Sequence, residues 1–283
     1  TVPICVLGTY SAGKSTFINA LIGQELLPSA ETPVTAKIYK VTASPYEDRA
    51  KISFIFKDDR VVLTFHDDQV FYDGLNETDA FGKEINEILT DSFDSIISKL
   101  HAVLEVINDS ADEGVGDLIE INVPFSKGIL GDVGSKITIF DTPGSNSSTN
   151  SQHSEVLANA MAGMSNGLPV FVTDSSSLDS KDNSNLKEKL ISVDGLDERF
   201  TMIVVNKAEA ADLSLANFKR DSFRNKIMNQ VVPRELYAQG IYYVSSILGL
   251  GSKLKGHLEG GFYSEQFDTY REKYSNPETK YYK

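Results

Sequence analysis

Val2-Pro3-Ile4-Cys5-Val6-Leu7-Gly8-Thr9-Tyr10-Ser11-Ala12-Gly13-Lys14-Ser15-Thr16-Phe17-Ile18-Asn19-Ala20-Leu21-Ile22-Gly23 is the stretch that decides the fold. Val2 to Leu7 is a short apolar run, the pattern of a buried strand. Phe17, Ile18, Leu21 and Ile22 follow at helical spacing, and Gly23 is a helix stop. Between strand and helix, Gly8 to Ser15 fits G-x-x-x-x-G-K-S in the context that motif requires. Its glycines let the backbone curl until the amides face a polyphosphate, and the positive end of the helix adds to that field. Lys14 reads as an exposed cation without a structural partner that would reach the β- and γ-phosphates. The Ser15 hydroxyl would ligate Mg²⁺. Gly8, Thr9, Tyr10, Ser11, Ala12, Gly13, Lys14, Ser15 and Thr16 are thus the expected phosphate-binding loop.

Working outward, Asp141-Thr142-Pro143-Gly144 follows the apolar run Ile137 to Phe140. An aspartate at a strand tip can hold Mg²⁺ through water, and the Gly144 amide can face the γ-phosphate. The tetrapeptide is also ordinary turn chemistry, and its place downstream of a P-loop makes it specific. Thr35 ends the proline-punctuated loop that starts at Pro28. Its hydroxyl suits Mg²⁺ and its amide the γ-phosphate, with Thr32 competing for the role. Asn206-Lys207-Ala208-Glu209 follows the run Thr201 to Val205. An Asn-Lys-x-Asp there reads guanine: the asparagine contacts N7, the lysine packs on the ring, and the acid accepts from N1 and the 2-amino group. Here the acid is Glu209, one methylene longer, with Asp212 as the alternative, and that departure keeps an ATPase reading open. Ser245 and Ser246 end the last strand, where a second base-contacting loop should lie.

The intervening chain alternates strands with helices. Ala36 to Thr42 and Lys51 to Phe56 read as strands, Asp58-Asp59 as a turn, and Val61 to Phe65 as the return strand. Thr78 to Ile107 carries apolar residues at helical spacing, as one or two helices. Asn108 to Gly116 is a loop. Leu118 to Val123, Pro169 to Thr173 and Ile241 to Val244 are further strands, and Phe218 to Val231 a further helix. The fold class is therefore α/β: a P-loop fold with a mainly parallel sheet and helices on both faces. Residues 1–250 form that domain, and 251–283 a polar helical tail or the start of a further region.

The 283 residues suffice for one large α/β domain. A net charge of −13 without any basic block argues against nucleic acid and against direct adhesion to anionic lipid. Cys5, the one cysteine, excludes an internal disulfide, fits a reducing cytoplasmic compartment and reads as a small core residue. No signal peptide is visible, and no apolar run reaches the ~18 residues of a membrane span. The chain opens almost directly on a strand, as a segment of a longer protein would.

The P-loop taken with Asn19-Ala20-Leu21-Ile22-Gly23, Leu27-Pro28 and Thr32-Pro33-Val34-Thr35-Ala36 resembles the dynamin superfamily. Tyr10, Val123-Pro124 ahead of Asp141-Thr142-Pro143-Gly144, and the later His153 are similar to its bacterial dynamin-like and mitofusin-like branch. The resemblance covers about residues 2 to 250. It implies a GTPase that binds GTP, GDP and Mg²⁺, dimerises with a second copy across the nucleotide sites, and reaches membrane only through regions absent from this chain. Small GTPases place a water-orienting glutamine where Ser145 stands. The resemblance implies that Ser11 helps hold a monovalent cation in place of an arginine finger, unless it only braces the loop. Lys14, Ser11 and Thr35 are then the catalytic candidates, and Ser15, Thr35 and Asp141 the metal ligands. Tyr10 is a candidate dimer contact; His153 reaches a partner's site or is an ordinary loop histidine. A nucleotide-dependent switch with negligible turnover is the other reading.

Overall fold

The computed structural model describes residues 1–9, 11–29, 37–66, 69–111, 113–126, 130, 137–142, 167–174, 200–211, 214, 219–230, 237–258 and 261–276. In chain order the elements are β1 (Val2–Gly8), α1 (Lys14–Ile22), β2 (Ile38–Ala43), β3 (Arg49–Phe56), β4 (Asp59–His66), β5 (Gln69–Asp73), α2 (Ala80–Thr90), α3 (Ile96–Asp109), β6 (Leu118–Val123) and β7 (Ile137–Asp141). There follow β8 (Leu168–Asp174), β9 (Phe200–Asn206), a 3-10 turn (Ala208–Ala210), α4 (Arg220–Gln230), β10 (Tyr237–Tyr243), α5 (Ser246–Lys253) and α6 (Gly261–Tyr274).

The strands form one sheet in the order β10-β9-β8-β1-β7-β2-β6-β3-β4-β5. From β10 to β7 every pairing is parallel. β2 meets β7 antiparallel and β6 parallel, and β3, β4 and β5 extend the sheet antiparallel. The burial pattern follows the pairing. β8 is buried from Pro169 to Asp174, as a strand covered on both faces must be. β3 instead alternates in its apolar residues, with Ile52, Phe54 and Phe56 buried and Lys51 and Ile55 exposed, though Ser53 on the outer face is also buried. Phe81 of α2 closes the core face, stacking on Phe56 at 4.2 Å and meeting Phe54 edge-on at 6.0 Å. Burying such a ring stabilises by about 1.5–3 kcal/mol.

Thr78 to Ile107 resolves into two helices, each started by its own cap. Asp79 accepts from the Gly82 amide and Ser95 from the Ser98 amide. The β3–β4 turn sits one residue earlier than the sequence suggests. Lys57 and Asp58 take φ of 47° and 72°, the two-residue turn that matches strand twist, so β4 begins at Asp59. β5 is an element the sequence reading lacks: it is an edge strand whose Phe71 and Tyr72 are exposed, so no alternation marks it. Cys5 is buried, as expected. Among the described residues no helix is long and apolar enough to cross a membrane.

The carboxyl ends of β1, β7, β8 and β9 come together at one edge of this layer. In an open α/β sheet that edge is where ligands bind.

Candidate nucleotide-binding site

β1 delivers its last residue, Gly8, to the loop that precedes α1. Two left-handed residues curl that loop, Ser11 at φ 58° and Gly13 at φ 77°. Gly13 has a second reason to be glycine: a Cβ there would lie 2.5 Å from Nδ2 of Asn206. Ala12 is fully buried beneath the curl, and Ser11 is exposed at its rim. No acidic residue occupies the first turn of α1, so the positive end of the helix is not neutralised from within. Gly23 closes α1 in the left-handed conformation, its amide bonded to Asn19 O.

Lys14 departs from its expected exposure. It is buried, and its ammonium donates to Thr9 O at 3.0 Å and Gly8 O at 3.3 Å. The physical reason is that the loop curls around its own lysine, so that main-chain carbonyls accept from the ammonium. Burial lowers the Lys14 pKa, and the attraction of Asp141 opposes that shift.

Asp141 is fully buried at the end of β7. Its Oδ2 accepts from Ser15 Oγ at 2.7 Å, while Oδ1 has no hydrogen-bond partner among the described residues. Desolvation raises its pKa to about 6, against the pull of Lys14, Ser15 and the Thr142 amide. A hydroxyl and an orphaned carboxylate oxygen at one point fit a hydrated Mg²⁺, which takes few protein ligands and keeps several waters. Thr142 Oγ1 donates to Val6 O at 2.8 Å and fixes the exit of β7 against β1.

At the end of β9, Asn206 has its side chain buried and fully engaged. Nδ2 donates to Ala12 O at 3.0 Å and Gly13 O at 3.2 Å. Oδ1 accepts from the Ser246 amide at 3.2 Å and the Ser246 hydroxyl at 2.7 Å. The amide therefore clamps the P-loop to the start of α5. Lys207, left-handed at φ 54°, pairs with Asp174 Oδ2 at 3.0 Å. Glu209 lies in the 3-10 turn, buried, with Oε2 unpartnered among the described residues. Burial raises its pKa; hydrogen bonding from the Ser245 hydroxyl is the largest of the opposing effects. Ser245 also caps α5, accepting from the Leu248 amide.

Lys14, Ser15, Asp141, Asn206, Lys207, Glu209, Ser245 and Ser246 are thus brought to one edge of the sheet with Gly8, Thr9, Ser11, Ala12, Gly13 and Thr16. Tyr10, Thr32, Thr35, Gly144, Ser145, His153 and Asp212 lie outside the described residues.

The sequence pattern of the dynamin family matches residues 4–208, most of the chain. The chain belongs to the dynamin family. A stretch of 39 residues is 51% identical to Dynamin-like protein A of Bacillus subtilis, covering 14% of this chain and 3% of that protein. Another, of 55 residues, is 46% identical to Bacterial dynamin-like protein of Nostoc punctiforme, covering 19% of this chain and 8% of that one. Two solved chains of an oligomerised bacterial dynamin pair, described as providing a mechanism for long-range sensing and tethering of membranes, share the fold. They superpose with a TM-score of 0.51 each, at 18% and 17% identity, over 98% and 96% of this chain. The chain spans 38% and 37% of their lengths.

This dynamin-family domain uses further residues that the sequence reading does not assign. Asp174 at the tip of β8 holds Lys207, and the only cue to it is an acid ending an apolar strand. Asn19 is fully buried in α1. Its Oδ1 accepts from the Leu26 and Leu27 amides, and its Nδ2 donates to Leu27 O. It fixes the chain at Leu26 and Leu27, after the end of α1. A buried asparagine on the apolar face of a helix is the signal for such a clamp.

Proposed function

We propose that this dynamin-family domain binds and hydrolyses GTP, completing its active site in a nucleotide-dependent dimer. The observation that carries the reading is the Ser15–Asp141 contact, with an Oδ1 that has no hydrogen-bond partner among the described residues, beside the helix start that presents Lys14. Members of the dynamin family are GTPases, which supports the same reading. Lys14 exchanges its carbonyl partners for phosphate oxygens, and the amides of the Gly8–Thr16 loop hold the rest of the polyphosphate. Ser15 and Asp141 would hold Mg²⁺, joined by Thr35, and the ion when bound would supply charge neutralisation at the phosphates. Asn206, Lys207 and Glu209 select guanine, with Ser245 and Ser246 supporting the base loop.

Where small GTPases place a glutamine, this chain has Ser145, so water positioning must come from elsewhere. Thr35, the rim at Ser11 and a second copy docked over the nucleotide supply it, and docking also excludes water from the site. The dimer would be two-fold, formed by the faces around Tyr10, Thr32 to Thr35 and the segment after Gly144. Membrane remodelling belongs to the longer parent protein, at a cytoplasmic membrane surface, through parts outside these residues.

Calorimetry of the nucleotide-free domain with GDP and ADP tests the first half. GDP should bind at least about tenfold more tightly, and Lys14→Ala should bind neither. Turnover per molecule, measured over a hundredfold range of protein concentration, tests the second and should rise with it. Equal affinity for the two nucleotides overturns the guanine assignment, and concentration-independent turnover by a monomer overturns the dimer.

A further inference from the structure

Helix α6 is docked against both segments that form the base side of the site. Its middle residue Phe267 is buried with Ile247, Leu250 and Leu258, in a small core centred on α5. The packing is close: a Cβ at Gly251 would fall 2.3 Å from the Phe267 ring. α5 begins at Ser246, which holds Asn206, and is capped by Ser245. One end of α6 reaches the opposite segment. Tyr274 Oη lies 2.8 Å from Glu209 O and 3.2 Å from Ala211 O, so its single proton is shared between two carbonyls. Lys273 Nζ adds a longer contact to Glu209 O, at 3.5 Å.

The segment so held is short and conformationally demanding. Lys207 is left-handed without being glycine, and three residues of 3-10 helix follow it. Among the described residues, its main-chain tie to a neighbouring element is the Ala208 amide to Val244 O at 3.1 Å. A carboxylate can discriminate between bases only if its backbone is fixed within about half an ångström. Tyr274 supplies such a fix at the carbonyl of Glu209 itself.

We propose that Tyr274 is a positioning residue for base recognition: its hydroxyl, delivered by α6, holds the Glu209–Ala211 backbone so that the Glu209 carboxyl meets the base. Specificity is then set partly by a helix that acts through the Glu209–Ala211 backbone. The proposal rests on the guanine reading of Asn206, Lys207 and Glu209.

The test compares wild type, Tyr274→Phe, Glu209→Gln and the double variant, by calorimetry with GDP, IDP and magnesium pyrophosphate. IDP lacks only the 2-amino group, and pyrophosphate reports the phosphate site alone. Tyr274→Phe should weaken GDP roughly threefold to tenfold, the range of one hydrogen bond, and should shrink the GDP-to-IDP affinity ratio. Pyrophosphate binding should stay unchanged. In the Glu209→Gln background, Tyr274→Phe should have no further effect on the ratio, because the two residues act as one unit. A wild-type preference for GDP over IDP that survives Tyr274→Phe overturns the proposal alone, as does an equal loss of GDP and pyrophosphate. A wild type that binds GDP and IDP alike overturns the guanine reading and this proposal with it.

Discussion

Asn206 makes a prediction that separates a clamp from a simple base contact. If its only task were to touch the base, truncation would leave the empty domain within about 0.5 kcal/mol of wild type. Its amide instead makes four hydrogen bonds, at 3.0 and 3.2 Å to the P-loop and 2.7 and 3.2 Å to Ser246, in a side chain that is 2% exposed. Each contributes about 0.5–1.5 kcal/mol net, and Gly13 O keeps a partner in the Phe17 amide. Asn206→Ala should therefore cost about 2–4 kcal/mol, a large share of a domain's stability of about 5–15 kcal/mol. Asn206→Asp sharpens the case. It keeps the acceptor toward Ser246 but turns an oxygen toward Ala12 O and Gly13 O, so at pH 7 it should be no milder than alanine. A carboxyl in that place would have its pKa raised in the fold. Its penalty is then present above the folded pKa and falls as the pH drops through it, when the protonated oxygen donates again. Urea denaturation of the nucleotide-free variants at pH 7 and pH 5 measures both effects. An Asn206→Ala within about 1 kcal/mol of wild type, or an Asn206→Asp with the same deficit at both pH values, would refute the clamp.

Two further outcomes follow from the geometry. Asp141 has a folded pKa of about 6 against an ordinary value of 3.8, so its ionisation removes stability as pH rises through that window, about 3 kcal/mol in all. In the presence of EDTA, Asp141→Asn should be more stable than wild type by up to that amount at pH 7 and no more stable near pH 4, and it should lose Mg²⁺-dependent nucleotide binding; urea melts at the two pH values and calorimetry check this. Gly8→Ala places a Cβ 2.2 Å from Val172 O, backbone that can yield only by parting β1 from β8, so thermal unfolding should register a loss of about 1–3 kcal/mol or more.

The parts of the site that were legible in the sequence are those whose chemistry is local. Gly8 to Ser15 names itself because curl, lysine and hydroxyl sit within one turn of chain. Asp141 does so because it stands at a strand tip beside turn residues. The central strands were legible as unbroken apolar runs, since burial on both faces leaves no alternation to mistake. β5 was not, because an exposed edge strand carries no buried face. The burial of Lys14 was not either: its partners are carbonyls, which no side-chain pattern advertises.

The base side was the least legible part, and the reason lies in how it is held. Asn206 reaches the P-loop across 194 positions, Ser246 across 40, and Tyr274 reaches Glu209 across 65. A motif such as Asn206-Lys207-Ala208-Glu209 reports which groups are present, but the position of each is fixed by contacts that have no local signature. The longer acid illustrates the point. Taken alone, one added methylene argues against the usual recognition. In the fold the same carboxyl is buried and carried on a backbone tied to α6, and its reach depends on where that backbone is held. On the proposed reading of Asn206, Lys207 and Glu209, guanine selectivity would be as much a property of the packing of α5 and α6 as of the tetrapeptide itself.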